Sequence, residues 1–179
     1  EDETTNVTVN SNVCINNNMH GIFVFSSSYN QVSSNVCTGN GFNGIHVEKL
    51  TGRLVPELNT ITGNTCTKNN GFGIALYGAR RNIITSNNVS DNNVNTNVIG
   101  GGVGLHYTDN TASERNLITN NNMVAYNGLD QYGVYTDNTA NAGNKISDNM
   151  FEGQNIAMTN VDRINNRVND NSGFVTERF

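Results

Sequence analysis

Ile61-Thr62-Gly63-Asn64-Thr65-Cys66 places an apolar residue, an Asn three positions later and a second apolar residue two positions after that. The same arrangement returns along the whole chain. The Asn column reads Asn12, Asn35, Asn64, Asn87, Asn121, Asn149 and Asn166, and the apolar position two after it holds Cys14, Cys37, Cys66, Val89, Met123, Phe151 and Val168. Successive Asn positions are 23, 29, 23, 34, 28 and 17 residues apart, so the basic unit is near 23 residues and the longer intervals carry insertions. A column kept seven times is the mark of one supersecondary unit stacked on copies of itself.

A second motif follows the first, with a Gly leading a short alternating apolar run: Gly21-Ile22-Phe23-Val24, Gly44-Ile45-His46-Val47, Gly73-Ile74-Ala75-Leu76 and Gly133-Val134-Tyr135, eroded in Ile156-Ala157-Met158 and Gly173-Phe174-Val175. Runs of three or four β-branched or aromatic residues bounded by Asn and Gly predict short strands. Two or three such strands per unit give a parallel β-helix of about seven coils, stacked at roughly 4.8 Å into a rod about 30 Å long. The Asn column is then a ladder of side-chain amides along the axis. Leucine-rich repeats share the period but need a Leu consensus and a helical half, which this chain lacks.

Composition fits that architecture. The chain has 179 residues, 35% of them apolar, which is low for a compact core but sufficient for thin coils with few inward residues. Only 14% are charged and the net charge is -5, which argues against disorder and against nucleic acid, since Arg80-Arg81 is the sole basic pair. No apolar run approaches the roughly 18 residues of a membrane span. The three Cys fall in one inward column, where a thiol serves as a small hydrophobe, and their spacing matches no metal or redox pair. No Asp-x-Asp-x-Asp calcium run is present, and no cofactor is implied.

The pattern Asn-x-apolar-x-x-Asn-x-apolar-x-x-Asn, followed by Gly-Ile/Val-x-apolar, resembles the right-handed parallel β-helix repeat of the pectate-lyase-like superfamily over about residues 6 to 176. That superfamily includes pectin and pectate lyases, alginate epimerases, periplasmic copper-accessory proteins and phage tail spikes. The closing stretch Asn171 to Glu177 is similar to the last coil of phage and bacterial surface β-helix proteins. The resemblance implies an all-β fold, a polysaccharide partner, an extracellular or virion-surface setting and a homo-oligomer, commonly a trimer. The pattern begins at Asn6, stops after Thr176 and has no amphipathic capping helix, so residues 1–179 are expected to form a single β-helix domain within a longer chain, or one whose ends are covered by association.

Function is sought outside the repeated columns, on outward strand residues and in the insertions at Glu48 to Glu57, Asn93 to Gly101, after Tyr107 and after Tyr135. The hexapeptides Tyr107-Thr108-Asp109-Asn110-Thr111-Ala112 and Tyr135-Thr136-Asp137-Asn138-Thr139-Ala140 are identical, which predicts that neighbouring coils turn alike there. If Ile45, Val47, Ile74, Leu76, Leu105, Tyr107 and Val134 face inward, then His46, Glu48, Ala75, Tyr77, His106, Thr108, Tyr135 and Asp137 face outward. Gly102 and Gly104 both fit the Gly column, and either choice keeps this parity.

The outward set gives candidate catalytic residues His46, Tyr77, His106, Glu48 and Asp137, and candidate substrate-binding residues Tyr135, Arg53, Arg80, Arg81 and Asp109. A polysaccharide lyase or epimerase acting on a uronic acid polymer needs a base, an acid and a cation against the carboxylate, roles open to the His, Tyr and Arg residues respectively. A glycoside hydrolase needs two carboxylates roughly 5 to 9.5 Å apart. Glu48 and Asp137, three coils apart at roughly 14 Å, do not satisfy that, whereas Glu48 with Glu57 or Asp109 remains open. Non-catalytic glycan stacking and a purely structural or oligomerisation rod stand beside these readings.

Overall fold

The computed structural model describes residues 4–95, 99–126, 132–138, 141–154, 156–159 and 166–173. Phe174 and Val175 of the last apolar run, and Thr139-Ala140 of the second hexapeptide, lie outside the described residues. The chain winds as a parallel β-helix with three strands per turn. The first turn holds β1 (Thr8–Asn10), β2 (Val13–Ile15) and β3 (Ile22–Phe25), and the second β4 (Gln31–Ser33), β5 (Val36–Thr38) and β6 (Ile45–Glu48). The third has β7 (Thr60–Thr62), β8 (Thr65–Thr67) and β9 (Phe72–Tyr77), and the fourth β10 (Ile83–Thr85), β11 (Asn88–Ser90) and β12 (Gly101–His106). The fifth has β13 (Leu117–Thr119), β14 (Asn122–Val124) and β15 (Tyr132–Thr136), and the sixth β16 (Lys145–Ser147), β17 (Met150–Glu152) and β18 (Ile156–Thr159). A seventh turn opens with β19 (Arg167–Asn169). Equivalent strands form three sheets of seven, six and six strands, every pairing parallel.

The corners explain the Asn. A residue with positive φ bends the chain, and the Asn after it turns its amide along the axis. Ser34, Gly63, Ser86, Asn120 and Asp148 take φ between 54° and 63° directly before Asn35, Asn64, Asn87, Asn121 and Asn149. Asn64 Oδ1 accepts from both the backbone N (2.9 Å) and the Nδ2 (3.0 Å) of Asn35, while Asn64 Nδ2 donates to Val32 O and to Asn87 Oδ1. Each amide thus satisfies backbone groups that the corner withdraws from the sheets. Three such ladders run along the rod. Besides the one through Asn64, a second joins Asn30, Asn59, Asn82, Asn116, Asn144 and Asn166, and a third joins Asn17, Asn40, Asn69 and Asn92.

The ladders correct the column at its end. Asn149 bonds to Asn171, 22 residues on, and Asn166 belongs to the second ladder. Val168 accordingly pairs with Ile146 in the first sheet and is not the successor of Phe151. The apparent 17-residue interval came from counting across two columns, which near-identical Asn corners invite. The rest of the apolar column is inward, with Cys37, Cys66, Val89, Met123 and Phe151 buried beside Ile45, Ile74, Val103 and Val134 in one continuous core.

Two further expectations change. Gly102 occupies the Gly column, because Val103 pairs with Ile74 and Val134, and Gly104 lies beside Ala75 and Tyr135. The identical hexapeptides are therefore not structurally equivalent: Tyr135 pairs with Gly104, three residues before Tyr107. Tyr107 follows the end of β12, is 37% exposed and does not face inward. Asp109 and Asn110 there adopt positive φ in a turn closed between Thr108 and Thr111, unlike the strand residues Tyr135 and Thr136.

Candidate functional site

The third sheet (β3, β6, β9, β12, β15, β18) carries the site on the face away from the core. Its register aligns Phe23, His46, Ala75, Gly104 and Tyr135 in one row, and Phe25, Glu48, Tyr77 and His106 in another. Asp137 N bonds Leu105 O at 3.3 Å, which sets its carboxylate beside His106. Alternation within strands and exact register between them bring five of the expected residues together: His46, Glu48, Tyr77, His106 and Asp137. Tyr135 packs at their edge, its ring 5.5 Å from that of His106.

This outward face is not bare. His46, His106 and Tyr135 are 5%, 8% and 8% exposed: His106 packs against Phe72 and Tyr135 of a second apolar cluster outside the coil core, and His46 against His20, Phe23 and Tyr77. Rings run along the axis in contact. His20 stacks on His46 at 4.1 Å, Tyr77 lies 4.7 Å from His46, and Tyr77 stacks on His106 at 4.1 Å with 9° between planes.

The hydrogen bonds define the two histidines as opposite tautomers. Asn43 Oδ1 accepts from Phe72 N at 2.8 Å, which fixes the amide and directs its Nδ2 at His46 Nδ1, 2.7 Å away. His46 Nδ1 therefore accepts, and in the neutral ring Nε2 carries the proton and donates to Glu48 Oε2 at 3.1 Å. His106 is the reverse. Its Nδ1 faces Asp137 Oδ2 at 3.1 Å and donates, leaving Nε2 as a buried lone pair with no hydrogen-bond partner.

Burial and hydrogen bonding shift the acids and bases around them. The hydrogen bond from His46 holds the Glu48 carboxyl below its ordinary value against the opposing effect of burial. Burial pushes Asp137 up, but hydrogen bonds from His106, the Tyr107 N–H and Asn141 together take it below its ordinary value. Burial, reinforced by the nearby Asp137 and Glu48 charges, drives the Tyr77 phenol up to about 12, so it keeps its proton. Burial and the neighbouring His46 lower His20 to about 4. An uncharged His20 and a protonated Tyr77, beside a His106 oriented by a carboxylate, can accept and donate protons at one place.

A cleft of about 740 Å³ opens over this face, lined by His20, Phe42, Asn43, His46, Glu48, Tyr77 and His106 together with Gly41, Asn70, Gly71, Phe72, Asn95 and Ile99. Asn95 and Ile99, from the fourth-turn insertion, wall one side. The second-turn insertion is tied instead to the loop after β12, through an ion pair of Lys49 with Asp109 and a 3.1 Å hydrogen bond from Thr51 Oγ1 to Asp109. The Lys49 hydrogen bond holds the Asp109 carboxyl below its ordinary value.

The arginines are elsewhere. Arg80 pairs with Glu114 at 3.2 Å and Arg81 with Glu57 at 3.3 Å at the corner between the third and first sheets. Arg53 is exposed in the turn that its own N closes on Leu50 O. None of the three lines the cleft. Glu57 is thereby occupied at a different corner from Glu48, and Asp109 is held by Lys49, so neither completes a carboxylate pair with Glu48.

Sequence reasoning missed His20, Asn43 and Phe72. Their signal was present: each directly precedes a Gly of the Gly column, and Gly101 and Tyr132 continue that position in the next two turns.

The chain is similar to two solved structures, the A-modules of the mannuronan C-5 epimerases AlgE6 and AlgE4 from Azotobacter vinelandii. The first matches with a TM-score of 0.64 at 14% identity over 96% of this chain and 59% of that one. The second matches with 0.57 at 16% identity over 96% and 58%. This chain thus spans about three fifths of either module, and at such identity the likeness is one of fold. No curated protein matches it. The profile described as right handed beta helix region matches residues 2–173, and with three all-parallel sheets wound around one core the chain belongs to the right-handed β-helix family.

Proposed function

We propose that this chain is a polysaccharide-engaging β-helix module that holds a glycan in the cleft above His46, Tyr77 and His106. The observation that carries the reading is the open, ring-walled cleft itself, whose Glu48 carboxylate and Asn70 amide can hydrogen-bond sugar hydroxyls. Rings such as Phe42, 48% exposed, offer flat apolar surface to the C–H face of a pyranose. The fold likeness to polysaccharide epimerase modules supports the same reading, and an extracellular or virion-surface setting, where such polymers are met, goes with it. Retention of the protein in gels cast with a polysaccharide panel, lost in Phe42→Ala, tests it. Unretarded migration throughout leaves the structural rod as the function.

A second reading, proton transfer on the bound glycan, is favoured by the His106 to Asp137 hydrogen bond. On a uronate unit the proton on the carbon beside the carboxylate passes to a cleft histidine, and the Tyr77 hydroxyl returns one to that carbon, inverting it, or gives it to the departing glycosidic oxygen as the ring double bond forms; a neutral glycan has no such acidic C–H, so this reading holds for a polyuronate only. Hydrolysis by the pair Glu48 and Asp137 is not supported, since three strand steps separate them, roughly 14 Å. Tyr77→Phe is expected to reduce turnover of a retained glycan by about 10²-fold or more, with retention changed little. Product is followed by NMR or by the absorbance of an unsaturated sugar. An unaffected rate removes Tyr77 from the chemistry.

A further inference from the structure

We infer that the glycan taken by this cleft is uncharged. The inference rests on the polysaccharide reading and adds the substrate class. Among the described residues that line the cleft there is no Lys or Arg, while Glu48 stands in its wall and Asp137 lies directly behind His106. The basic residue nearest in sequence, Lys49, is committed to Asp109, and Arg80 and Arg81 are committed to Glu114 and Glu57 at another corner. Asn95 and Ile99, which also line the cleft, are uncharged.

A polyanion entering here would meet the Glu48 carboxylate, with Asp137 behind His106, and no Lys or Arg to offset them. Like charges brought together in a partly buried site cost several kcal/mol, and a uronate carboxylate would also lose its hydration without replacement. What the cleft does offer suits a neutral polyol. Phe42 and Ile99 present exposed apolar surface, 48% and 50%, and Asn70 adds an amide that can both donate and accept. The Glu48 carboxylate, its side chain 29% exposed, accepts hydroxyl protons. A neutral chain needs no counter-charge, and its binding draws on stacking and hydrogen bonds that salt does not screen.

The test is affinity electrophoresis of the whole chain in gels holding laminarin, mannan, xylan or dextran as neutral polymers, alginate or polygalacturonate as polyanions, and chitosan as a polycation. Retardation by at least one neutral polymer is expected, unchanged between about 50 and 500 mM salt and reduced several-fold by Phe42→Ala, an exposed position whose substitution spares the core. Alginate and polygalacturonate are expected not to retard the protein. Retardation by a polyuronate that Phe42→Ala abolishes overturns the uncharged assignment while leaving the glycan reading standing, and the same result with chitosan alone does likewise. Neutral retention that ignores Phe42→Ala overturns the assignment to this cleft. Free migration in every gel overturns both inference and glycan reading.

Discussion

At the scale of single residues, Asn64 shows how a polar side chain becomes the framework of an interior. It is fully buried, and its amide closes hydrogen bonds to the turn before and the turn after. Asn64→Ala strands Asn35 N and Val32 O without partners, so a loss of about 2–5 kcal/mol is expected in urea denaturation. The same substitution at Asn12, at the exposed end of the ladder, is expected to cost below about 1 kcal/mol. Equal losses at both positions would show that the ladder contributes no more than a surface amide. His20 carries a different expectation. Its pKa is depressed from 6.5 to about 4 on folding, so the unfolded chain binds the extra proton across that window and stability must fall as pH drops through it. Denaturant midpoints at pH 7.5 and pH 5 measure the fall, and His20→Gln is expected to shrink it. The depressed carboxyls of Glu48 and Asp137 extend the loss to lower pH, where they take up protons.

At the scale of elements, strand register is what assembles the site. β9 and β12 place Tyr77 against His106, and the step to β15 places Asp137 behind it. Two glycines of β12 separate backbone demands from side-chain demands. A Cβ on Gly101 would lie 2.0 Å from Tyr132 O, and its φ of 154° disfavours any side chain. A Cβ on Gly104 would instead meet His106 Nε2 at 2.7 Å and the Phe72 ring at 2.9 Å. Gly104→Ala is therefore expected to cost about 1–3 kcal/mol while displacing the two rings, and Gly101→Ala to cost more, because a neighbouring carbonyl in a ladder cannot step aside. Chemical denaturation ranks the two, and glycan retention in the folded Gly104→Ala variant reports the displaced rings. Retention equal to that of the unaltered chain would separate Gly104 from the site.

At the scale of the whole molecule, each turn contacts only its neighbours, so stability is a sum of turn and interface terms and openings start at the ends. In residues 1–179 taken alone, amide hydrogen exchange is expected to be slowest in β7 to β12, in the third and fourth turns, and faster in the first and sixth. Uniform protection along the rod would contradict nearest-neighbour stacking. The sequence by itself determined the architecture: one corner chemistry, a positive-φ residue followed by Asn, recurs often enough that the parallel β-helix, the inward Cys column and the outward parity of His46, Tyr77 and His106 could be read from spacing. It also named half of the cleft's polar residues, His46, Glu48, Tyr77 and His106, because alternation in a strand is a local rule. What it did not determine depended on counting residues between strands. Insertions of unequal length hid that Asn171 rather than Asn166 closes the ladder, that two identical hexapeptides stand three residues out of register, and that Arg80 and Arg81 turn to a different corner. Only the tertiary structure decided those, since hydrogen bonding between turns, and not similarity along the chain, fixes which residues of a solenoid become neighbours.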